Sequence, residues 1–239
     1  NVHHLHFHRL SILSGILYLT DPAFTIFCPN SLYSLPSLFP NNGKLENYTY
    51  KGKKGNLVID IGANIGTQTL SFAKEVGDKG KVIAFEPQNI ISQCLQTNLT
   101  INDITNVDVY NIAISNKDDW AKINDHDFSD LGRYGEAGIN SEGTRVKTIR
   151  LDDIEVNKCH LIKVDVEGHE WEVIEGGKKF LKHHKPIVYL EAKKNNGTKK
   201  YLKWLLSNNW NCYWHFAWWW RPNNFKKNTI YKFKGNGDM

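Results

Sequence analysis

The chain has 239 residues, of which 41% are hydrophobic and 23% charged, with a formal net charge of +5. That is enough apolar material to bury one large α/β core carrying an N-terminal extension. Four cysteines, Cys28, Cys94, Cys159 and Cys212, stand far apart with no Cys-x-x-Cys pair, which excludes a zinc site and a disulfide framework and leaves ordinary reduced thiols.

The charge is uneven. Residues 178–239 hold 14 Lys or Arg against Glu191 and Asp238, a balance of +12 that leaves −7 on residues 1–177. A basic C-terminal third could meet anionic glycans, nucleic acid or a membrane surface, but lysines on solvated helix faces are the preferred explanation.

Residues 1–50 read as an extension packing on the core, and 51–239 as the functional domain, which can be one part of a larger polypeptide. The apolar run Leu10–Leu19 is ten residues long, well short of the roughly 20 a membrane helix needs. Arg9 precedes it as in a signal segment, yet no small-x-small cleavage site follows and Asp21-Pro22 interrupts. It is expected to be a packed helix or strand, with no membrane span. His3, His4, His6 and His8 resemble metal ligands by type, but a frayed terminus accounts for them. Pro29, Pro36 and Pro40 with Asn41-Asn-Gly43 mark a loop-rich lead-in. Asn-x-Thr triplets at Asn47, Asn98 and Asn196 are what an Asn-rich chain produces by chance, so no secretion is inferred and the expected location is the cytoplasm. The abundance of Lys and Asn suits an AT-rich genome.

From residue 57 strands and helices alternate, which argues a Rossmann-like, doubly wound, mostly parallel α/β sheet. Strands are expected near 57–61, 81–85, 107–114, 161–166 and 187–191, and helices near 66–77, 89–102, 169–183 and 197–208. In the third helix Val173, Ile174, Gly177, Phe180 and Leu181 form an apolar stripe at helical spacing, which is core. Residues 116–151 read as a polar, glycine-containing loop followed by an extra strand through Val146, Thr148 and Arg150. The aromatic end, Trp210 to Trp220 and then Thr229–Phe233, fits a C-terminal antiparallel hairpin on the sheet edge, whose outward tryptophans, with Arg221 and Asn224, could stack on sugar rings or equally serve a dimer contact or plain edge packing.

The first strand runs straight into Asp60-Ile-Gly62-Ala-Asn64-Ile-Gly66, a turn that can approach a ligand while the next helix presents free amides. The spacing is not the Gly-x-Gly of a dinucleotide fingerprint, and no Gly-Lys-Ser/Thr follows, so neither NAD nor a P-loop nucleotide is favoured. An acidic Asp60 beside the turn suits the cationic methionine end of S-adenosylmethionine better than a pyrophosphate. The second strand ends in Glu86-Pro87, twenty residues after Gly66, where a carboxylate can grip both ribose hydroxyls.

Three passages then carry a family likeness: Val58-Ile-Asp-Ile-Gly-Ala-Asn-Ile-Gly66, Ala84-Phe-Glu-Pro87 and Leu161-Ile-Lys-Val-Asp165-Val-Glu167-Gly-His169-Glu170. Together they resemble the FkbM-type S-adenosylmethionine-dependent methyltransferases, over about residues 56–192. The resemblance implies the class I methyltransferase fold.

Open parallel sheets bind ligands beyond the carboxyl ends of their strands. That rule gathers Asp60, Gly62, Asn64, Gly66, Glu86, Pro87, Ala113, Ile114 and Asp165 as donor-binding residues, with Ala113 and Ile114 forming an adenine wall and Asp165 nearest the methionine end. A sugar hydroxyl needs a proton acceptor to attack a methyl group, and His169 is the first choice, with Asp165 and Glu191 as further catalytic candidates. His169 could instead cap the helix that starts beside it. Asp165, Glu167, Glu170 and Glu191 could also bind Mg²⁺ or Mn²⁺, and no ion is assigned.

The function expected is an O-methyltransferase acting on a hydroxyl of a sugar in a glycan, with a covalently linked glycosyltransferase domain as a compatible partner. A nucleic-acid methyltransferase is the alternative: Asp21-Pro-Ala-Phe24 faintly resembles the Asp-Pro-Pro-Tyr strand of base aminomethylases, but it precedes the donor turn, so nucleic acid is disfavoured. A catalytically inactive glycan-binding module on the same fold is the third reading. The acceptor and the oligomeric state are left open.

Overall fold

The computed structural model describes residues 4–7, 23–29, 54–124, 139–140, 143–193 and 195–217. Its main sheet is built from β1 (His4–Phe7), β2 (Ala23–Pro29), β3 (Leu57–Ile61), β4 (Lys81–Phe85), β5 (Val107–Tyr110), β10 (Leu161–Val164), β11 (Ile187–Ala192) and β12 (Trp210–Ala217), in the order β1-β12-β2-β11-β10-β3-β4-β5. The five strands from β5 to β11 run parallel, and β2 lies antiparallel between β11 and β12. The strand order reverses between β3 and β10, which is the switch point where an open α/β sheet leaves its crevice.

Alternate residues along each strand meet different helical layers, as a period of two requires. Ile59 and Ile61 of β3 join the main core with Ile162, Leu190 and the helices α3 (Glu170–Glu175), α4 (Lys178–His184) and α5 (Asn196–Ser207). Val58, next to Ile59 and on the opposite face, packs with Val82, Ala73 and Val76, the last two on α1 (Thr67–Val76). Leu95 and Leu99 of α2 (Asn89–Ile101) cover Ala63 and Ala84 on the same side. Fully burying one such aliphatic side chain contributes about 1.5–3 kcal/mol, so the strands carry the hydrophobic drive and the polar helix faces stay outside. Among the lysines, Lys178 lies 4.9 Å and Lys200 5.8 Å from the ring centre of Trp171, and Lys182 lies 5.8 Å from that of Trp204.

Two expected elements come out differently. The strand expected over 107–114 divides at Asn111, whose amide donates to the carbonyls of Glu86 and Pro87 and ends β5. The chain then enters a second sheet, order β6-β9-β7-β8, of β6 (Ala113–Ser115), β7 (Asp119–Ile123), β8 (Ile139–Asn140) and β9 (Thr144–Arg150). The helix expected over 169–183 is two helices broken at Gly176-Gly177. A side chain on Gly176 would stand 2.1 Å from the Ser115 carbonyl, and one on Gly177 2.6 Å from Leu151, so both positions need glycine for close approach. Asp152 then accepts from the Phe180 amide, and Val173, Ile174, Phe180 and Leu181 still face the core.

The termini also differ. His4–Phe7, expected to fray, pairs parallel with β12. The antiparallel partner of Trp210–Ala217 is β2, contributed by the first 50 residues, while the expected second hairpin strand at 229–233, Arg221, Asn224 and the tryptophans at 218–220 lie outside the described residues. So do Leu10–Leu19 and Asp21. Among the described residues no helix is long and apolar enough to cross a membrane.

Candidate active site

β3 and β10 approach closely where they end. Gly62 has φ +76°, and a Cβ there would stand 1.9 Å from the Asp165 carbonyl oxygen. The Gly62 and Ala63 amides both donate to the Phe85 carbonyl at 3.0 Å, folding the turn over β4. Asn64 is left-handed at φ 51°, a conformation that costs a non-glycine residue about 1–3 kcal/mol and that clusters at functional sites. Gly66, at φ 92°, opens α1, whose start has neither a side-chain cap nor an acidic residue. A Cβ on Gly66 would meet Leu95 at 2.3 Å, so this glycine also lets α1 and α2 close up.

Glu86 is 4% exposed and holds the turn directly: its Oε2 accepts from the Asn64 amide and its Oε1 from the Gln88 amide, each at 2.9 Å. Burial raises its pKa above the ordinary 4.5, against the lowering by those two amides. Pro87 sits beside it, its carbonyl taken by Asn111. Asp60 is fully buried. Its Oδ2 accepts from the Thr69 hydroxyl at 2.7 Å, and its Oδ1 lies 3.1 Å from Lys163 Nζ.

Asp165 follows β10, with its side chain 25% exposed. Next come Glu167 at φ 53° and Gly168 at φ 99°, a left-handed pair that turns the chain into α3. Glu170 is buried and its Oε1 accepts from the Gly168 amide at 2.9 Å, closing that turn. Asp165, Glu167 and Glu191 each bring a carboxylate oxygen within 4.8 Å of the others, while Glu170 stands outside this group. The group already holds a cation: Lys193 Nζ is ion-paired to Glu167 and lies 3.2 Å from Glu191 Oε2. Burial, with Asp165 and Glu167 beside it, raises the Glu191 pKa to about 8.

His169 does cap α3 in position, as the residue before its first turn, though without a side-chain cap bond. Its ring is engaged elsewhere. Nε2 lies 2.9 Å from the Ser115 hydroxyl and Nδ1 3.5 Å from Glu172 Oε2. Burial lowers its pKa below 6.5, with Glu172 opposing, so the neutral ring is favoured at neutral pH.

The crevice therefore collects Asp60, Gly62, Asn64, Gly66, Glu86 and Pro87 from β3 and β4, Asp165 and His169 from β10, and Glu191 from β11. Ala113 and Ile114 are placed in β6 instead of at the end of the third strand. Ile114, 2% exposed, packs in the main core, and Ala113 packs against Ile123 and Val146. Two residues not anticipated from sequence, Lys163 and Lys193, neutralise part of the acidic set. Lys163 had a legible signal, since a lysine inside the apolar strand Leu161–Val164 has to find a buried carboxylate, and Asp60 is its register partner.

A five-stranded parallel run reversing between β3 and β10, flanked by an antiparallel strand and with a glycine turn at the reversal, is the class I methyltransferase architecture. The description of the methyltransferase FkbM domain matches residues 60–212, and the chain belongs to this family of S-adenosylmethionine-dependent methyltransferases. It is similar to the hexuronic acid methyltransferase AglP of Haloferax volcanii, 28% identical over 159 residues, which are 64% of this chain and 63% of that protein. The chain thus spans under two thirds of the length of this curated relative. Similar solved structures include the methyltransferase FkbM of Methylobacillus flagellatus (21% identity, TM-score 0.47, 76% of this chain and 42% of that one). Another is a SAM-dependent O-methyltransferase of Thermotoga maritima (18% identity, TM-score 0.42, 65% and 44%).

Proposed function

We propose that the chain is an O-methyltransferase that moves a methyl group from S-adenosylmethionine to a hydroxyl of a sugar in a glycan. The observation that carries this reading is the convergence, at one sheet reversal, of a buried carboxylate-lined turn with a second group of acids, of which Asp165 and Glu167 are partly exposed and Glu191 is buried, and a neutral histidine. The likeness to a hexuronic acid methyltransferase supports the sugar acceptor.

The donor set fits S-adenosylmethionine chemically: carboxylates suit its cationic end, and the uncapped start of α1 suits its carboxylate. Glu86 would hold the ribose hydroxyls with the lone pairs left free by Asn64 and Gln88, and Asn64 and Pro87 would shape the turn around it. Ala113 and Ile114 would contribute backbone only, because their side chains are buried. The donor supplies an electrophilic methyl group. The chain's part is to hold an acceptor hydroxyl against that position and to take its proton.

His169 is the proposed proton acceptor. Glu172 at Nδ1 favours the tautomer with a bare Nε2, and Ser115 occupies that nitrogen until an acceptor hydroxyl replaces or joins it. Asp165 and Glu191 would orient the acceptor by hydrogen bonding. At neutral pH Glu191, with a pKa of about 8, keeps a proton to donate.

The test is transfer of a labelled methyl group to a panel of neutral and acidic saccharides, with the product identified as a methyl ether. Labelling of nucleic acid and of no saccharide would replace this reading with the alternative one. The same experiment on a longer polypeptide bearing a glycosyltransferase domain would show whether the two activities share an acceptor.

A further inference from the structure

We propose that Lys163 is a positioning residue of the donor site, pinning the carbonyl of Gly62 and setting the local charge that limits how far the site favours the sulfonium donor over its neutral thioether product. This rests on the donor assignment above. Lys163 is 3% exposed in β10, beside its register partner Asp60 on β3. Its Nζ donates to the Gly62 carbonyl at 2.6 Å and lies 3.1 Å from Asp60 Oδ1 and 3.6 Å from Asp165 Oδ2. One hydrogen bond and two ion pairs thus join the ends of β3 and β10 across the switch point.

Stability alone gives a poor account of this lysine. Both neighbouring residues of the strand are apolar, and an apolar replacement of a buried ion pair is often neutral or stabilising. What an apolar residue could not do is hold a peptide carbonyl. The peptide joining Gly62, at φ +76°, to Ala63 is otherwise held only at its N–H end, where the Ala63 amide donates to Phe85. With Lys163 bonded to its oxygen, the peptide that begins the turn is fixed at both ends. The register makes this possible, because Lys163 and Asp60 are direct partners on adjacent strands and their side chains share one face.

The second consequence is electrostatic. Asp60, Glu86 and Asp165 are three acids gathered around one ammonium. Lys163 is the nearest cation to Asp60 and acts on Glu86 as well. Removing it makes the site more negative, which favours a positively charged ligand over a neutral one of the same shape. S-adenosylmethionine and S-adenosylhomocysteine are such a pair, differing by the methyl group and its charge.

Calorimetric titration of the chain with each ligand tests this. In Lys163→Met the ratio of the two affinities should move toward S-adenosylmethionine by roughly fivefold or more, whereas Lys163→Arg should leave it within about twofold of the parent. In the double variant Asp60→Asn/Lys163→Met, which removes one charge of each sign and remains usable if the single variant does not fold, the ratio should return to the parental value. Both affinities should nevertheless fall about tenfold, because the Gly62 carbonyl is no longer held. A ratio that stays at the parental value in Lys163→Met, or that departs from it in the double variant, overturns the charge role. Parental affinities in the double variant overturn the pinning role. A parent chain that binds neither ligand overturns the donor assignment itself.

Discussion

At the ends of β3 and β4, Asp60 and Glu86 are 0% and 4% exposed, and each is held by two partners that do not leave the fold: Thr69 and Lys163 for one, the amides of Asn64 and Gln88 for the other. At the ends of β10 and β11 the side chains of Asp165 and Lys193 are 25% and 35% exposed, and the partners of Glu167 and Glu191 include a flexible ammonium. The first region is shaped by backbone geometry and the second by side-chain charge. That division suits a site whose one ligand always has the same structure and whose other ligand is recognised through its hydroxyl groups. Substitutions in the first region should therefore act on folding or donor affinity, and substitutions in the second on turnover and pH dependence.

The largest effect should come from Gly62→Ala. A methyl group there meets the Asp165 carbonyl at 1.9 Å on a left-handed backbone, so overpacking and strain combine to about 4 kcal/mol of lost stability, read as a lowered denaturant midpoint. A variant as stable as the parent would show that the two strand ends are not in contact. His169→Ala should follow, with kcat reduced by about 10²-fold or more and donor affinity unchanged. In the parent, the acid limb of kcat should fall below pH 6.5, since burial depresses the histidine pKa and the base is lost only on protonation. Turnover that survives the substitution at saturating acceptor would remove His169 as the base.

Glu86→Ala tests the other region. Loss of a buried acceptor that also fixes the Asn64 amide should weaken S-adenosylmethionine binding by about 2 kcal/mol, roughly 30-fold, with kcat at saturation little changed. If calorimetry gives the parental affinity, the ribose assignment fails. If kcat falls and affinity holds, the division between the two regions is wrong.

Much of this was legible in the chain because the two periodicities were clean. The strands over 57–61 and 81–85 appear with the expected bounds, since both are buried on two faces and their apolar runs end at a glycine or Glu-Pro. The breaks at Asn111 and at Gly176-Gly177 were hidden for a common reason: each is imposed by a residue distant in sequence, the carbonyls of Glu86 and Pro87 in one case and the Ser115 and Leu151 contacts in the other. Apolar spacing records which face is buried and says nothing of a partner 25 or 60 residues away. The same limit hid the ion pairs. Glu86 and Asp165 announce themselves by position after a strand, whereas Lys193 lies past the end of β11 in a lysine-rich stretch and has no local mark. The first 50 residues carry weak periodicity, and the strand they contribute between β11 and β12 is legible only from pairing.

The smaller effects separate charge from packing in the second region. Glu191 is 2% exposed, and its folded pKa of about 8 exceeds the ordinary 4.5 because of burial and the neighbouring Asp165 and Glu167. The folded state therefore holds the extra proton. Its contribution to stability is complete below about pH 4.5 and is lost as pH rises through about 8. Glu191→Gln should accordingly leave thermal stability near the parent's at pH 5 and raise it by about 1–2 kcal/mol at pH 9. A parent that is equally stable relative to the variant at both values would mean that Lys193 already compensates the ionised carboxylate.

The Lys193 ammonium beside these carboxylates sets the expectation for metal ions. Three carboxylates within 4.8 Å of one another would ordinarily attract Mg²⁺ or Mn²⁺, yet the Lys193 ammonium pairs with two of them and must be displaced before an ion can enter. An ion that has to displace an ammonium gains only the difference between two cations in the same acidic group, and it also has to shed its own tightly held water. Assay of methyl transfer after exhaustive chelation, and again with Mn²⁺ restored, should therefore give rates within roughly twofold of each other. A rate that collapses on chelation and recovers with the ion would move Lys193 out of the acidic group during turnover, and would make Asp165 and Glu191 ligands instead of acceptor-orienting groups.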